Sequence, residues 1–433
     1  MIAGLAGSGQ LKPAMSSVLR LAAGLLALVP ALHGAGAVRQ VTIGPAPVER
    51  AAQVVTLTLP QAFAAGAILR DERGEVVPLQ AEADLTARFI LARQAAGQTL
   101  KFTLEAGRLP EQGNVQVVEE PSPPRPGNTP GIVSATTPSR IRPNTGRLRV
   151  SVGGRPILYY QMDRDALPRE GIDPALRRAA YLHPVLTPRG VPVTEDYPAD
   201  NLTRHGIASL GPTMARGQRS FDFSMTSNVP ATVEFGGIDN TWTGPVHGGF
   251  ASWQRWIDDQ SAKAPVLVNE AWELTAYAVP KSLGEINVFD LVITQTNATS
   301  GPLDFQSGLG VQGSAVSVAP GRTAKFRDLR EAGNAARWIG FSGLIKDDSA
   351  GLAVLLPSTA TIVSSSMDPA PTYLEALAPV TAPGMSGLAS GARATQRYRV
   401  IVFDGPPNEA LLEALWNGYT LPAVVTIAPA DGR

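Results

Sequence analysis

The stretch Val55-Thr56-Leu57-Thr58-Leu59 alternates apolar side chains with threonines, the period of two that predicts a strand with one buried face. Glycine (43 residues) and proline (37 residues) are plentiful, which favours short strands joined by turns over long helices. The same alternation recurs at Leu100-Phe102-Leu104, Leu148-Val150-Val152, Phe289-Leu291-Ile293 and Tyr398-Val400-Val402. The sequence therefore predicts an all-β protein, with a small N-terminal β-sandwich followed by a large one.

A proline-rich segment divides the two predicted sandwiches. Its prolines cannot pair in the interior of a sheet, so the segment is expected to be an extended linker. They are Pro121, Pro123, Pro124, Pro126 and Pro130. We predict a small domain over 38–118, a linker over 119–144 and a large domain over 145–424. A single continuous domain is the alternative.

The N-terminal segment resembles an export signal. Arg20 precedes an apolar run from Leu21 to Val29, and Ala35-Gly36-Ala37 gives the small-x-small pattern of a cleavage site. The run falls short of the roughly 20 apolar residues that a membrane-spanning helix needs. We therefore expect residues 1–37 to be a signal peptide cleaved near Ala37, and the mature protein to be periplasmic or secreted.

Charge and cysteine content exclude several classes of function. Lys plus Arg equals Asp plus Glu at 37 each, so there is no basic excess of the kind that nucleic-acid binding requires. The chain has no cysteine, which removes disulfides, thiolate catalysis and Cys-ligated zinc. No phosphate-binding loop, nucleophile elbow or His-Glu-x-x-His motif is present. We expect no cofactor, no metal, no nucleic acid and no membrane span.

Three of the four histidines, His183, His205 and His247, lie between Tyr181 and Gly248. Asp196, Asp200 and Trp242 occur in the same part of the chain. A cleft lined by histidines, carboxylates and tryptophan suits sugar recognition, because aromatic faces stack on pyranose C–H groups while polar side chains bind hydroxyls. The alternatives are structural histidines held by hydrogen bonds and, less favoured by the spacing, a metal site.

Glu270 and Glu273 flank Trp272. If this segment is a strand, their odd separation directs the two carboxylates to opposite faces. One of them, Glu270, is then a candidate general base facing a cleft.

Several motifs together resemble one family of secreted bacterial domains. They are Tyr181-Leu182-His183-Pro184-Val185, Thr187-Pro188-Arg189-Gly190, Glu195-Asp196-Tyr197-Pro198-Ala199-Asp200, Gly244-Pro245-Val246-His247-Gly248 and Ala336-Arg337-Trp338. On these motifs the region from about Asn144 to Pro422 resembles the PmoA-like family, whose function is unknown. The resemblance implies a galactose-mutarotase-like β-supersandwich and a link to carbohydrate or glycoside ligands.

The chain departs from that family's pattern at its polar positions. Where members usually carry a run of histidines, this chain has Asn201-Leu202-Thr203-Arg204 and keeps only His205. Arg204 is therefore a candidate cation for an acidic sugar. We assign His183, His205 and Glu270 as candidate catalytic residues. Asp196, Asp200, Arg204, His247 and Trp242 are the candidate ligand-binding residues.

Three functions follow from these assignments. The leading hypothesis is an exported carbohydrate-associated protein with a sugar-binding or sugar-processing cleft in the large domain. The second is a non-catalytic binding or structural module that has kept the fold and lost the chemistry. The third is a metal-dependent enzyme.

Overall fold

The protein is described by a computed structural model. The model describes residues 38–108, 114–121, 146–163, 167–173, 176–210, 214–216, 219–221, 231–258, 261, 263, 265–314, 325–329, 336–357, 363–366, 373–379 and 387–430. The predicted signal peptide and most of the predicted linker lie outside these ranges.

Strands dominate the described chain. The first group is β1 (Val38–Ile43), β2 (Arg50–Thr58), β3 (Ala67–Arg70), β4 (Val76–Val77), β5 (Gln80–Ala81), β6 (Thr86–Gln94) and β7 (Leu100–Ala106). The second is β8 (Val115–Glu120), β9 (Arg147–Val152), β10 (Arg155–Gln161), β11 (Tyr181–Val185), β12 (Ile207–Leu210), β13 (Met214–Arg216) and β14 (Arg219–Phe221).

Longer strands follow. They are β15 (Ala231–Trp242), β16 (His247–Asp258), β17 (Val266–Tyr277), β18 (Ile286–Asn297), β19 (Asp304–Gln312), β20 (Lys325–Leu329), β21 (Ala336–Ile345) and β22 (Asp348–Leu355). The last are β23 (Val363–Ser366), β24 (Tyr373–Pro379), β25 (Arg393–Asp404) and β26 (Val425–Pro429), with the helix α1 (Glu409–Thr420) between β25 and β26. Short 3-10 turns occur at Gln61–Phe63 and Lys281–Leu283.

Two large antiparallel sheets form the main body. A ten-stranded sheet has the order β14-β13-β19-β12-β11-β10-β9-β8, with β24 pairing both β19 and β23, and an eight-stranded sheet has the order β15-β16-β17-β18-β25-β22-β21-β20. Apolar side chains from both sheets fill one shared core, which includes Leu182, Ile207, Leu291, Leu309 and Val400. The alternation in β18 shows why, since Leu291 and Ile293 are buried while Val292 and Thr294 are partly exposed.

A smaller pair of sheets packs into a second sandwich. The five-stranded sheet has the order β26-β1-β7-β3-β4, and the three-stranded sheet has the order β2-β6-β5. Val55, Leu57, Phe89 and Leu104 lie in its core. The alternating stretch at 55–59 thus places its leucines inside and its threonines outside, as its period of two predicts.

The helix α1 and the small sandwich cover part of the outer face of the eight-stranded sheet. Leu412 and Leu415 of α1 pack there with Ile401, Phe403 and residues of β2. A buried ion pair crosses the same junction: Arg399 binds both carboxylate oxygens of Asp290, at 2.6 and 2.9 Å, and also donates to the carbonyl of Ala52 at 3.3 Å. This contact links the backbone of β2 to the large sheet.

The all-β class and the succession of a small and a large sandwich are confirmed. The strand β8 spans the predicted small-domain end at residue 118 and pairs with β9 of the ten-stranded sheet. The strand β26, which follows the predicted large domain, returns to pair with β1 of the small sandwich. The predicted domain boundaries themselves remain predictions. No helix in the described part of the chain combines the length and the apolar character that a membrane crossing requires.

Candidate functional site

The candidate site is built on a hairpin loop on the outer face of the ten-stranded sheet. Asp196 and His205 face each other in an isolated β-bridge, and the Tyr197 amide donates to the Arg204 carbonyl at 3.0 Å. At the tip, the Asn201 side chain accepts hydrogen bonds from the backbone and hydroxyl of Thr203. We call residues 197–204 the hairpin loop.

The base of the hairpin loop is closed by a buried histidine–aspartate pair. His205 Nδ1 lies 3.0 Å from Asp196 Oδ1, and the Tyr181 hydroxyl donates to Asp196 Oδ2 at 2.9 Å. The imidazole also packs between the rings of Tyr181 and Tyr197, whose centroids lie 5.0 and 4.3 Å away. Only 4% of His205 is exposed. The pair therefore fixes where the loop leaves the sheet.

Burial sets the protonation of this pair. Burial lowers the pKa of His205 and outweighs the opposing effect of Asp196. For Asp196, burial raises the pKa, but hydrogen bonding from His205 and the nearby His183 outweigh it, so its pKa is lowered. At neutral pH, His205 is thus neutral and donates its Nδ1 proton to an ionised Asp196. Its Nε2 is buried and has no hydrogen-bond partner among the described residues.

His183 lies next to this pair and is less buried. Its Nδ1 is 3.1 Å from the Thr194 hydroxyl, which also accepts the Val185 amide proton at 3.0 Å. Since that hydroxyl oxygen accepts from Val185, its proton is available to His183 Nδ1. The structure thus brings His183, His205 and Asp196 together, with Asp196 as the electrostatic neighbour of both imidazoles.

Arg204 folds back from the hairpin loop onto an aromatic ring. Its guanidinium lies 4.1 Å from the centroid of the Tyr373 ring, and its Nη1 lies 4.0 Å from the carboxylate of the exposed Asp200. Burial and the carboxylate of Glu375 raise the pKa of the Tyr373 hydroxyl well above its ordinary value. Arg204, Asp200, Tyr373 and Glu375 therefore form one cluster of donors and acceptors around an aromatic ring.

A second arginine connects this cluster to the sheet. Arg178 donates from Nη2 to the Ser209 carbonyl at 3.1 Å, and its backbone amide donates to the Tyr197 hydroxyl at 3.2 Å. Burial lowers its pKa, while Glu270 and Tyr373 act in the opposite direction. Arg178 thus lies between the hairpin loop and the interior of the large sandwich.

Glu270 lies in the core between the two large sheets, with 1% of its surface exposed. Ser209, Trp272 and Gln254 donate to its Oε1, the first two at 2.7 and 2.6 Å, and Gln295 donates to Oε2 at 2.6 Å. Burial raises its pKa against the effect of these hydrogen bonds. Glu273 is exposed on the opposite face, as the odd spacing predicts. Both oxygens of Glu270 are therefore engaged by protein groups.

His247 and Trp242 belong to a different place. His247 Nε2 lies 3.0 Å from Glu82 Oε1 and 3.4 Å from Arg88 Nη1, both in the small sandwich. Trp242 is partly exposed at the end of β15 and packs over Gly249, where an added Cβ would lie 2.7 Å from the indole. The clustering of histidines in sequence thus holds for His183 and His205, while His247 joins the two sandwiches.

Sequence reasoning did not identify Arg178, Tyr373 or Glu375 as site residues. Tyr373 and Glu375 come from β24, which pairs with β19 and so approaches the hairpin loop from a distant part of the chain. The alternation in Tyr181-Leu182-His183 does carry a usable signal, because it places Tyr181 and His183 on the face opposite the buried Leu182.

Two further features lie apart from the hairpin loop. Among the described residues, no group of three or more His, Asp or Glu side chains is arranged to hold a metal ion. A cavity of about 180 Å³ lies beneath the N-terminal end of α1, lined by apolar side chains that include Leu283, Phe403 and Leu411. None of the predicted site residues lines it.

The sequence profile of DUF6807, a family of unknown function, matches residues 147–417. The chain belongs to DUF6807. No curated protein matches it by sequence. Among solved structures, a candidate aldose 1-epimerase from Klebsiella pneumoniae subsp. pneumoniae MGH 78578 is similar at 11% identity, with a TM-score of 0.33, over 64% of this chain and 84% of that one.

The DUF6807 region begins at the first residue of β9 and ends inside α1. It contains every predicted site residue and all of the hairpin loop. Glu82 and Arg88, which hold His247, lie outside it. Predicted membership of a family of unknown function agrees with this match, and the PmoA-like label remains a prediction.

Proposed function

We propose that the protein binds carbohydrate at the hairpin loop, and that this site holds its ligand without transforming it. The observation that carries the proposal is the stacking of Arg204 on Tyr373 beside the carboxylates of Asp200 and Glu375. A sugar hydroxyl both donates and accepts hydrogen bonds. A site that combines a planar guanidinium, carboxylates and an aromatic ring offers partners for both.

The balance of charge favours hydroxyl recognition over ion binding. Two arginines, Arg204 and Arg178, and two carboxylates, Asp200 and Glu375, surround the contact of Arg204 with Tyr373, so neither sign is in excess there. Asp200 is exposed at the loop tip, and 24% of the Arg204 side chain is exposed. A ligand therefore reaches both groups from solvent and replaces the weak 4.0 Å contact between them with shorter hydrogen bonds.

The carboxylates of the described site support binding over catalysis. A general base needs an oxygen that reaches the substrate proton. The two oxygens of Glu270 accept from four protein donors, and those of Asp196 accept from His205 and Tyr181. In this arrangement the carboxylates organise the sheet and the loop.

One observation favours a second candidate, proton transfer by His205. Its Nδ1 is held by Asp196 and its Nε2 is an acceptor with no partner among the described residues, the arrangement that orients a histidine as a general base. Because Nε2 is buried, this function requires the hairpin loop to open. The expected reaction class is removal and return of a proton at an anomeric hydroxyl or an adjacent carbon.

A glycan array followed by calorimetric titration tests the binding proposal. We expect Arg204→Ala to weaken binding of the selected glycan by about tenfold or more, since a charge-assisted hydrogen bond and a stacking surface are both lost. Arg204→Lys keeps the charge without the planar group, and its affinity is expected to lie between those of Arg204→Ala and the unaltered protein. Arg93→Ala, which removes an exposed arginine paired with Glu49 in the small sandwich, is the matched control.

Two outcomes contradict the proposal: no glycan binds, or Arg204→Ala binds as tightly as the unaltered protein. Proton exchange and anomer interconversion of the bound sugar, followed by NMR, separate the two candidates. If the unaltered protein turns the sugar over and His205→Asn binds it without turnover, catalysis is supported. If the unaltered protein binds the sugar without turnover, binding alone is supported.

We also propose that the protein is exported, on the support of the apolar run and small-x-small pattern within residues 1–37. Cell fractionation with mass measurement of the intact protein tests this. A periplasmic or secreted form that begins near Val38 is expected, and a cytoplasmic full-length form contradicts it.

A further inference from the structure

The small sandwich and α1 cover one part of the outer face of the eight-stranded sheet. On another part of this face, Trp253, Ala271 and Thr395 are exposed among the described residues. Across this part, directly paired residues form one row perpendicular to the strands. The row runs Gly237, Trp253, Ala271, Thr294 and Thr395. We call these five residues the Trp253 row.

Trp253 lies flat against β15 because two glycines permit it. A Cβ added at Gly236 would lie 2.0 Å from Cζ3 of the indole, and one at Gly237 would lie 3.2 Å from its Nε1. One face of the ring thus packs on bare backbone. Trp253 is 36% exposed, although its neighbours Ser252 and Gln254 point into the core and are buried. A large aromatic surface is therefore held rigidly at the surface.

The rest of the row has small, uncharged side chains. Ala271 is exposed and small, and beyond it the hydroxyls of Thr294 and Thr395 lie 3.1 Å apart. Four spacings between neighbouring strands separate Gly237 from Thr395, a span of about 19 Å. The row therefore offers an aromatic plane at one end and hydroxyl groups at the other, over a length of more than one sugar ring.

Charges of both signs flank the row. On one side, Arg255 lies over the Trp253 ring at 5.5 Å from its centroid and pairs with Glu234 at 2.8 Å, and the exposed Arg393 ends the same flanking row. On the other side, the flanking row contains Glu273 and Arg397. The row itself carries no charged side chain, so its aromatic ring and hydroxyl groups suit a ligand that is flat on one side and rich in hydroxyl groups.

We propose that the Trp253 row is a binding surface for a neutral polysaccharide, whose pyranose rings stack on Trp253 and hydrogen-bond to Thr294 and Thr395. This goes beyond the hairpin-loop site, because the row lies on the outer face of the other large sheet. A protein partner, including a second copy of this chain, is the competing occupant. An uncharged row with hydroxyl groups and a single aromatic ring fits a sugar chain better than the more extensively apolar centre of a protein interface.

Affinity electrophoresis of the full chain through gels containing soluble neutral polysaccharides, among them a β-glucan, a xyloglucan and a mannan, tests the proposal. At least one polymer is expected to retard the protein. Trp253→Ala is expected to weaken that binding by about tenfold or more, and Trp253→Phe by less. Thr395→Val removes one hydroxyl at constant shape and is expected to weaken binding a few-fold, which keeps the test valid if Trp253→Ala fails to fold.

Leu344→Ala, which removes an exposed apolar side chain from β21, and Thr58→Val, which removes an exposed hydroxyl from the small sandwich, serve as matched controls. Retardation that persists in both Trp253→Ala and Thr395→Val overturns the proposal. A dimer in light scattering that Trp253→Ala dissociates, without any retardation by polysaccharide, also overturns it and identifies a contact between copies. If Arg204→Ala abolishes retardation and the Trp253 variants do not, the row is excluded and the hairpin loop retained.

Discussion

His205 donates its Nδ1 proton to Asp196 across the two ends of one hairpin loop, at 3.0 Å and with only 1% and 4% of the two side chains exposed. The loop carries Asp200 and Arg204, the residues to which we assign ligand binding. The pair therefore positions the hairpin loop where it leaves the sheet, and the loop in turn positions Arg204 against Tyr373.

Removing Asp196 is expected to destabilise the protein strongly. In Asp196→Ala, the His205 Nδ1–H and the Tyr181 hydroxyl both lose their buried acceptor, at a cost of about 1–3 kcal/mol each. Urea unfolding measures the change. Asp200→Ala, which alters an exposed aspartate of the same loop, is expected to shift the free energy of unfolding by less than about 0.5 kcal/mol. Equal effects of the two substitutions argue against the positioning role.

The contribution of the buried histidines to stability is expected to fall as the pH drops below about 6.5, the ordinary pKa of histidine. Burial lowers the pKa of His205 in the folded state, so the unfolded chain binds the proton first as the pH falls. This protonation stabilises the unfolded state relative to the folded one. His247 has a lowered pKa for the same reason and acts in the same direction. Glu270 acts in the opposite direction, because burial raises its pKa.

Comparing variants separates the contribution of the histidines to the pH dependence of stability from that of Glu270. Urea unfolding of the unaltered protein, His205→Asn and His247→Asn between pH 8 and pH 5 measures each contribution. Each variant is expected to lose part of the slope of stability against pH. A slope unchanged in His205→Asn means that this imidazole is not held neutral by burial.

Much of the fold follows from local pattern, and the site follows from it only in part. The period-two alternation in β2, β18 and β25 predicts strands and their buried faces because it depends on neighbours two residues apart. Likewise, the proximity of His183, Asp196 and His205 could be predicted because one hairpin and two paired strands contain all three. Tyr373, Arg178 and the donors around Glu270 could not, because strand order and sheet packing bring them together from distant segments.

Glu270 is expected to act as a hydrogen-bond acceptor in the core, and Glu270→Gln tests this. The Oε1 of Gln295 has no partner in the described structure, so rotation of that amide lets it accept from the new amide group of residue 270. We expect Glu270→Gln to change the free energy of unfolding by less than about 1 kcal/mol, since the remaining donors keep an acceptor. Glu270→Ala leaves buried donors unpaired and is expected to cost about 3–5 kcal/mol by thermal or urea unfolding.

If a sugar-converting activity is found, the same two variants separate a structural role from catalysis. A stable Glu270→Gln protein that retains activity confirms the structural role of the carboxylate. A stable but inactive one identifies Glu270 as the base that the sequence predicts.

Gly418 gives the last prediction, because helix propensity and packing lead to opposite expectations for it. This residue lies inside α1, which continues to Thr420. The glycine is there because the helix packs on the backbone of β2: a Cβ at Gly418 would lie 2.1 Å from the Ala51 carbonyl oxygen. Helix propensity alone predicts that Gly418→Ala stabilises α1 by about 1 kcal/mol. We expect instead a loss of about 1–3 kcal/mol from the overlap with β2. Ala410→Gly, at an exposed position of the same helix, measures the propensity effect by itself. Thermal unfolding measures both variants, and a stabilising effect of Gly418→Ala contradicts the close packing.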